Sequence, residues 1–194
     1  MAANRNEARN DLLDAPPGDG PDPAGFRRVL GHFATGVAAV TGMDAGVPVG
    51  LLVSSFTSVS LDPPLVSFCV AHTSTSWPRL RGGRRHGICF LAAGQYGQAR
   101  RLATASGDSK FHGVAWSASP SGLPVLDGAL AWLECSVEAE HPAGDHVIVV
   151  SRVHRLAKAG DTSGAGPLVL FRGGYGRFTA VAPAPVDTVA RSSS

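Results

Sequence analysis

Apolar residues recur along this chain in two rhythms. Phe26, Val29, Leu30 and Phe33 fall three and four apart, the spacing of one helix face, and Gly36 closes that run. From there the rhythm shortens to that of strands. Residues 37–41 and 47–53 read as a hairpin across the turn 42–46. Pro63 and Pro64 stiffen the approach to a continuous apolar strand, 65–70, and residues 87–92 form another buried strand. Residues 130–140 and 145–156 alternate as a long hairpin, and 168–171 with 175–179 close the set. Between them, Trp77–Arg81 reads as a helical turn capped by Ser74 or Thr75, residues 95–105 as a polar helix, and 109–113 as a short turn. Strands dominate and the helices are short, which favours a closed antiparallel barrel with peripheral helices over a βαβ sheet.

Composition narrows this picture. The 194 residues suit one domain. Residues 1–23 and 182–194 are rich in Pro, Gly, Ala, Ser and polar residues and are expected to be disordered tails around a domain at 24–181. Hydrophobic residues reach 44% and charged residues only 16%, so much of the surface is expected to be buried, part of it in a subunit interface. A net charge of +2 and sparse aromatics argue against nucleic acid or an anionic membrane as partner. There is no apolar run long enough to span a bilayer and no signal-peptide core in the first residues. Cys69, Cys89 and Cys135 each lie in an apolar stretch without a CxxC pair, which reads as free thiols in a reducing cytoplasm.

Candidate chemistry concentrates in two hydroxyl clusters. Ser54, Ser55, Thr57, Ser58 and Ser60 follow one buried strand; Thr73, Ser74, Thr75 and Ser76 follow another and precede a helix. Hydroxyls beside free backbone N–H groups can hold a phosphate without a Walker loop. A polar strand end and a simple helix cap are the plain alternatives. Gly144, Asp145 and His146 make a turn that carries a histidine. His141 with His146 is a weak metal signal, having no Cys or carboxylate support. Gly107-Asp108-Ser109 lacks the glycine that follows a serine nucleophile, and 173–176 is too short for a dinucleotide fingerprint.

Read in order, the segments FRRVLGHFATGV, SSFTSVSLDPPLVSFCVAHTSTSWPRL, SKFHGVAW, GLPVLDGALAWLECSVEAEHPAGDHVIVVSRV and PLVLFRGGYGRF resemble the flavin reductase family, NAD(P)H:flavin oxidoreductases that serve two-component flavin monooxygenases. The likeness runs through nearly all of residues 24–178. It implies a mainly β fold, a six-stranded antiparallel Greek-key split barrel with short peripheral helices. It also implies a homodimer, FMN or FAD as cofactor, NADH or NADPH as reductant, and a partner flavin-dependent monooxygenase. By position, the flavin ring would lie against Leu51, Leu52, Val53, Ser54, Ser55 and Phe56, with Thr35, Gly36 and Val37 near the ring or its ribityl chain. Ser54 or Ser55, together with Ser74, Thr75, Ser76 and Trp77 and a nearby base such as Arg79, would hold the phosphate. Phe90 and Leu91 would line the groove; His146, and residues around Tyr175, would face the nicotinamide. Leu52 stands where family members usually have Thr, and Cys89 where Asn is frequent. Those departures leave room for a flavin-bound oxidase or oxygenase, or for a non-enzymatic flavin-binding barrel.

Overall fold

The computed structural model describes residues 20–158 and 165–181. Helix α1, Pro23–Leu30, is capped by Asp22, whose carboxylate accepts from the N–H groups of Ala24 and Gly25. Next come β1 (Thr35–Gly36), β2 (Ala38–Asp44), β3 (Val47–Val53), β4 (Thr57–Leu61) and β5 (Pro64–Ala71). Helix α2 spans Trp77–Arg81, β6 His86–Phe90, and α3 Tyr96–Thr104. The chain continues through β7 (Trp116–Ala118), β8 (Pro124–Leu126), β9 (Ala131–Ala143), β10 (His146–Lys158), β11 (Leu168–Phe171) and β12 (Gly174–Arg177).

The fold is mainly β. Seven strands form one antiparallel sheet in the order β3-β2-β6-β9-β10-β5-β4, and β1-β11-β12 and β7-β8 form two small sheets. Side chains alternate across the large sheet, and each face carries a buried cluster. On one face Ala38, Val40, Val49, Leu51, Val53, Val66, Phe68, Val70, Ile88, Leu133, Cys135 and Val149 form a cluster with Trp77 and Leu80 of α2. Their neighbours in sequence face the other way. Ala39, Cys89 and Leu91 pack there with Ala99 and Leu102 of α3, and with Phe111, Leu126 and Leu168.

Among the polar side chains buried in this sheet are His86 and Glu134. His86 opens β6 on the face of Phe68 and Trp77, with its ring edge-on to both, and its Nε2 lies 3.2 Å from Ser151 Oγ. Burial lowers its pKa to about 4, because a charged imidazolium there would lose its hydration. On β9, between Leu133 and Cys135, the Glu134 side chain is wholly buried. Its Oε1 accepts from Arg85 Nη1 and, at 2.9 Å, from Ser121 Oγ, while Oε2 has no hydrogen-bond partner among the described residues.

The large sheet holds seven strands against the expected six, with β4 at its edge. β4 lies in what the pattern marks as a hydroxyl-rich turn, because its side chains are mostly exposed and carry no apolar alternation. Backbone pairing to β5, Thr57 opposite Ser67 and Leu61 opposite Pro64, makes it a strand. β7 and β8 were likewise invisible in the pattern, each being three residues long. Helix α1 starts three residues before the expected Phe26 and ends at Leu30, and a 3-10 turn at Ala93–Gln95 leads into α3. The long hairpin is confirmed, with Gly144 at φ +62° in its turn. At the tip of β11–β12, Arg172 and Gly173 both take positive φ, the type I′ geometry that matches strand twist. Of the expected tails at 1–23 and 182–194, residues 1–19 and 182–194 lie outside the described residues, while Asp22 and Pro23 belong to the start of α1. Among the described residues no helix is long and apolar enough to cross a membrane.

Candidate functional site

The hydroxyl segment after β3 is the hinge of the site. β3 and β5 are not paired in the sheet. Instead Ser55 joins them with a side chain: its Oγ accepts from Cys69 N–H at 2.8 Å and lies 3.4 Å from the Cys69 carbonyl. With β5 thus held by a side chain rather than a ladder, a seam opens between the two strands. A cleft of about 350 Å³ occupies it, lined by Leu51, Leu52, Val53, Ser54 and Ser55, by Cys69, Val70 and Ala71, and by Ser74 and His146. Among the described residues, the backbone N–H groups of Ser54, Ser55 and Phe56 make no hydrogen bond to any protein acceptor. Three successive open donors beside a cleft form a ready receptor for an electron-rich oxygen or nitrogen.

A second cleft, of about 380 Å³, lies across the same segment. Gly36, Val37, Ala38, Phe56, Phe90, Leu91, Leu130 and Pro167 line it. It is almost wholly apolar, and Phe56 meets Phe90 edge to face at 4.8 Å. Ser54 and Ser55 thus line the first space and Phe56, with Phe90, the second.

His146 enters the first cleft from the start of β10, where it pairs with Ala71. Its Nδ1 lies 2.7 Å from Asp145 Oδ1. A carboxylate only accepts, so Nδ1 is the protonated nitrogen and Nε2 is left for a ligand. The hydrogen bond and charge of His146 hold the Asp145 carboxyl below the usual carboxylate range.

The remaining sequence candidates fall elsewhere. Ser74 Oγ accepts from Trp77 N–H at 3.2 Å, but the N-cap of α2 is Ser76, whose side chain makes no capping bond, so the expected cap at Ser74 or Thr75 is corrected. Thr75 is exposed on the same turn. Ser76 and Trp77 are buried behind it. The Trp77 ring packs edge-on against Phe68 at 5.4 Å and donates its indole N–H to Glu140 at 2.8 Å, so it has no face toward either cleft. Thr35 and Tyr175 share the small sheet, both opposite Leu170 from its two sides, and Tyr175 stacks edge-on with Tyr96. Burial and the neighbouring Tyr96 raise the Tyr175 pKa.

Arg79 is the clearest correction. Its guanidinium is spanned by Asp44 at 2.6 Å and Asp108 at 2.8 Å and faces a different surface groove. Both carboxylates, far away in sequence, claim the cation before a ligand could. Cys89 is also out of reach: it is fully buried, its Sγ accepts from Leu126 N–H at 3.5 Å, and burial pushes its thiol up to about 11. Of the two noted departures from the family pattern, only Leu52 lines a cleft. The sequence pattern missed Ala38, Cys69, Val70, Ala71, Leu130 and Pro167 as lining residues, since strand residues facing a cleft and those facing a core read alike. It also missed Lys110, whose Nζ bonds Ser76 Oγ at 3.0 Å and the Gly50 carbonyl at 3.3 Å.

Comparison with known proteins agrees with this architecture. The model of the "Flavin reductase like domain" matches residues 30–179. A flavin reductase of Pseudomonas putida is 42% identical over 161 residues, covering 82% of this chain and 92% of that protein. The reductase subunit HsaB of a flavin-dependent monooxygenase from Rhodococcus jostii is 42% identical over 154 residues, covering 79% of this chain and 77% of its own length. Among solved structures, the NADH:FAD oxidoreductase SgcE6 of Streptomyces globisporus, in complex with NAD and FAD fragments, superposes with a TM-score of 0.77 at 35% identity. It covers 87% of this chain and all of its own. A family match across most of the chain, with relatives of this identity and a seam between β3 and β5 walled by open amides, means that the chain belongs to the flavin reductase-like domain family.

Proposed function

We propose that the protein is an NAD(P)H:flavin reductase that passes reduced FMN or FAD to a partner flavin-dependent monooxygenase. The observation that carries this reading is the run of three unpaired N–H groups at Ser54, Ser55 and Phe56, set between an amphipathic and an apolar cleft. The names of the P. putida and R. jostii relatives support both the reaction class and the partner.

The residues present fit a flavin. An isoalloxazine ring needs a flat apolar bed and donors along its polar edge; the Leu51–Val53 strand end offers the first and the 54–56 amides the second. When bound, the flavin supplies the hydride-accepting N5, and the nicotinamide supplies hydride from C4. The protein's part is alignment and charge stabilisation, and no nucleophile or carboxylate pair is required. The Ser54–Phe56 amides would hold the polar edge of a bound flavin and offer donors to negative charge there. Ser55, tied to Cys69, keeps those amides in place. His146, oriented by Asp145, presents Nε2 to the nicotinamide amide and positions it.

The dimeric split barrel belongs to the same proposal. No residue of α1 is buried, although Phe26, Val29 and Leu30 make an apolar face; Phe33 is 77% and Leu61 91% exposed. A second copy of the chain would cover such surfaces. The six strands that supply the interior cluster are the barrel staves, with β4 an edge addition. The free thiols Cys69, Cys89 and Cys135 suit a reducing cytoplasm. The rival reading, a flavin-bound oxidase, drew on Leu52 and Cys89, and burial of Cys89 away from both clefts removes half of its support.

The test mixes purified protein with FMN or FAD and NADH or NADPH and follows the nicotinamide absorbance band. Rapid loss with free flavin in excess is the expected result. Tight flavin binding with no NAD(P)H loss would sink the reductase assignment. His146→Ala is expected to raise KM for NAD(P)H about tenfold while flavin Kd stays within about twofold. Parallel loss of both would remove His146 from the nicotinamide side.

A further inference from the structure

A groove of about 760 Å³ opens beside the start of β6, and its polar lining is Arg84, Arg85, Ser121, Ser136 and His154. Met43 and Leu123 add an apolar wall. The groove shares no lining residue with either cleft of the flavin reading. The end of β2, the turn before β6, the β7–β8 turn and the β9–β10 ladder bring these side chains together. The ladder shifts register between Val153 and Arg155, and His154 stands at that irregularity, with Nε2 2.8 Å from Ser136 Oγ.

The lining carries two guanidiniums and no carboxylate. Arg84 is exposed and forms no ion pair among the described residues. Arg85 meets Glu134 Oε1 through Nη1, so most of its N–H groups remain for an incoming oxyanion. Glu138, an acid close to His154, is already held by Arg152 through two bonds of 2.9 Å. Behind the lining lies the wholly buried carboxylate of Glu134. Both groups that bond its Oε1, Arg85 Nη1 and Ser121 Oγ, belong to the groove, and its Oε2 has no partner among the described residues. Glu134 thus fixes the Arg85 guanidinium from behind, so less side-chain freedom is lost when an anion arrives in front.

We propose that this groove is a second binding site, for a small organic acid, with the acid's carboxylate on Arg84 and Arg85 and its apolar body along Met43 and Leu123. The fork of a guanidinium matches a planar carboxylate. A bare inorganic anion would fill little of the groove and leave the apolar wall uncovered. Because the linings are separate, the acid and a flavin bind at the same time.

The test is a calorimetric titration of the full chain with benzoate as probe, set beside acetate, inorganic phosphate and benzyl alcohol. Benzoate is expected to saturate with a Kd near or below about 1 mM, at least about fivefold tighter than acetate or phosphate. Benzyl alcohol, which keeps the ring and lacks the charge, should give no saturable binding. Arg84→Met is expected to weaken benzoate about tenfold, and Arg84→Lys to recover part of the loss. Arg84 is exposed and unpaired, so its replacement spares the fold, whereas Arg85 stays in place to hold Glu134. Saturating FMN should leave benzoate affinity within about twofold. No saturable benzoate binding by about 10 mM, or full affinity in Arg84→Met, would overturn the site. Phosphate as tight as benzoate would overturn the organic-acid class, and displacement of benzoate by FMN would return the acid to the flavin cleft.

Discussion

Replacing Arg85 with Met is expected to lower the free energy of unfolding by about 3 kcal/mol. Glu134 is wholly buried on β9, and among the described residues the Arg85 guanidinium is the only cation that pairs with it. Ser121 Oγ shares the same carboxylate oxygen, and Oε2 has no partner. Without the guanidinium, the carboxylate keeps one neutral hydrogen bond in a site closed to water, and the desolvation cost stands uncompensated. The pair itself is not expected to be a large net asset. The double variant Arg85→Met/Glu134→Leu should therefore recover to within about 1 kcal/mol of the parent, since an apolar pair of similar volume needs no solvation. Urea unfolding of the three proteins measures this. A single variant as stable as the parent would mean that Glu134 does not depend on Arg85.

Acid stability should fall earlier than carboxylates alone would bring. His86 has a pKa of about 4 in the folded chain against 6.5 for the free side chain, because burial penalises the cation. The unfolded chain therefore binds this proton first as pH falls. Its contribution to stability is complete above pH 6.5, declines through the window down to about 4, and is absent below it. The full span corresponds to about 3 kcal/mol. The carboxyls of Asp22, Glu138 and Asp145 are held below their ordinary range by backbone N–H groups, Arg152 and His146 respectively, so their contributions are lost only at lower pH. His86→Gln retains a donor for Ser151 and should flatten the decline between pH 6.5 and about 5. A parent protein equally stable at both ends of that interval would refute the role of His86.

What was legible beforehand follows from the range of each signal. Period-two alternation in 37–41, 47–53 and 87–92 reports which residues of a strand share a face, and the structure divides Val40 from Ala39 and Ile88 from Cys89 accordingly. β4 was lost because an edge strand with exposed side chains owes its form to backbone pairing, which leaves no trace in hydrophobicity. The same contrast divides the site. Ser54, Ser55, Ser74 and His146 stand out in the sequence because hydroxyls and a histidine in turns after buried strands are a local pattern, and one cleft is lined by all four. Arg79 was misplaced because its role is decided by Asp44 and Asp108, 35 and 29 residues away.

The amino-acid sequence by itself thus determined the strand-rich class, the faces of most strands, the hydroxyl turns and the family likeness. All of these depend on residues close together along the chain or on their order. Only the tertiary structure decided that Ser55 ties β3 to β5 and opens the seam, that Arg79 is captive, and that Lys110 stands beside Ser76 without a counter-charge. Those outcomes are set by which charges and donors meet across folded distance, and burial, which alone fixes how strongly they interact, exists only once the chain has closed on itself.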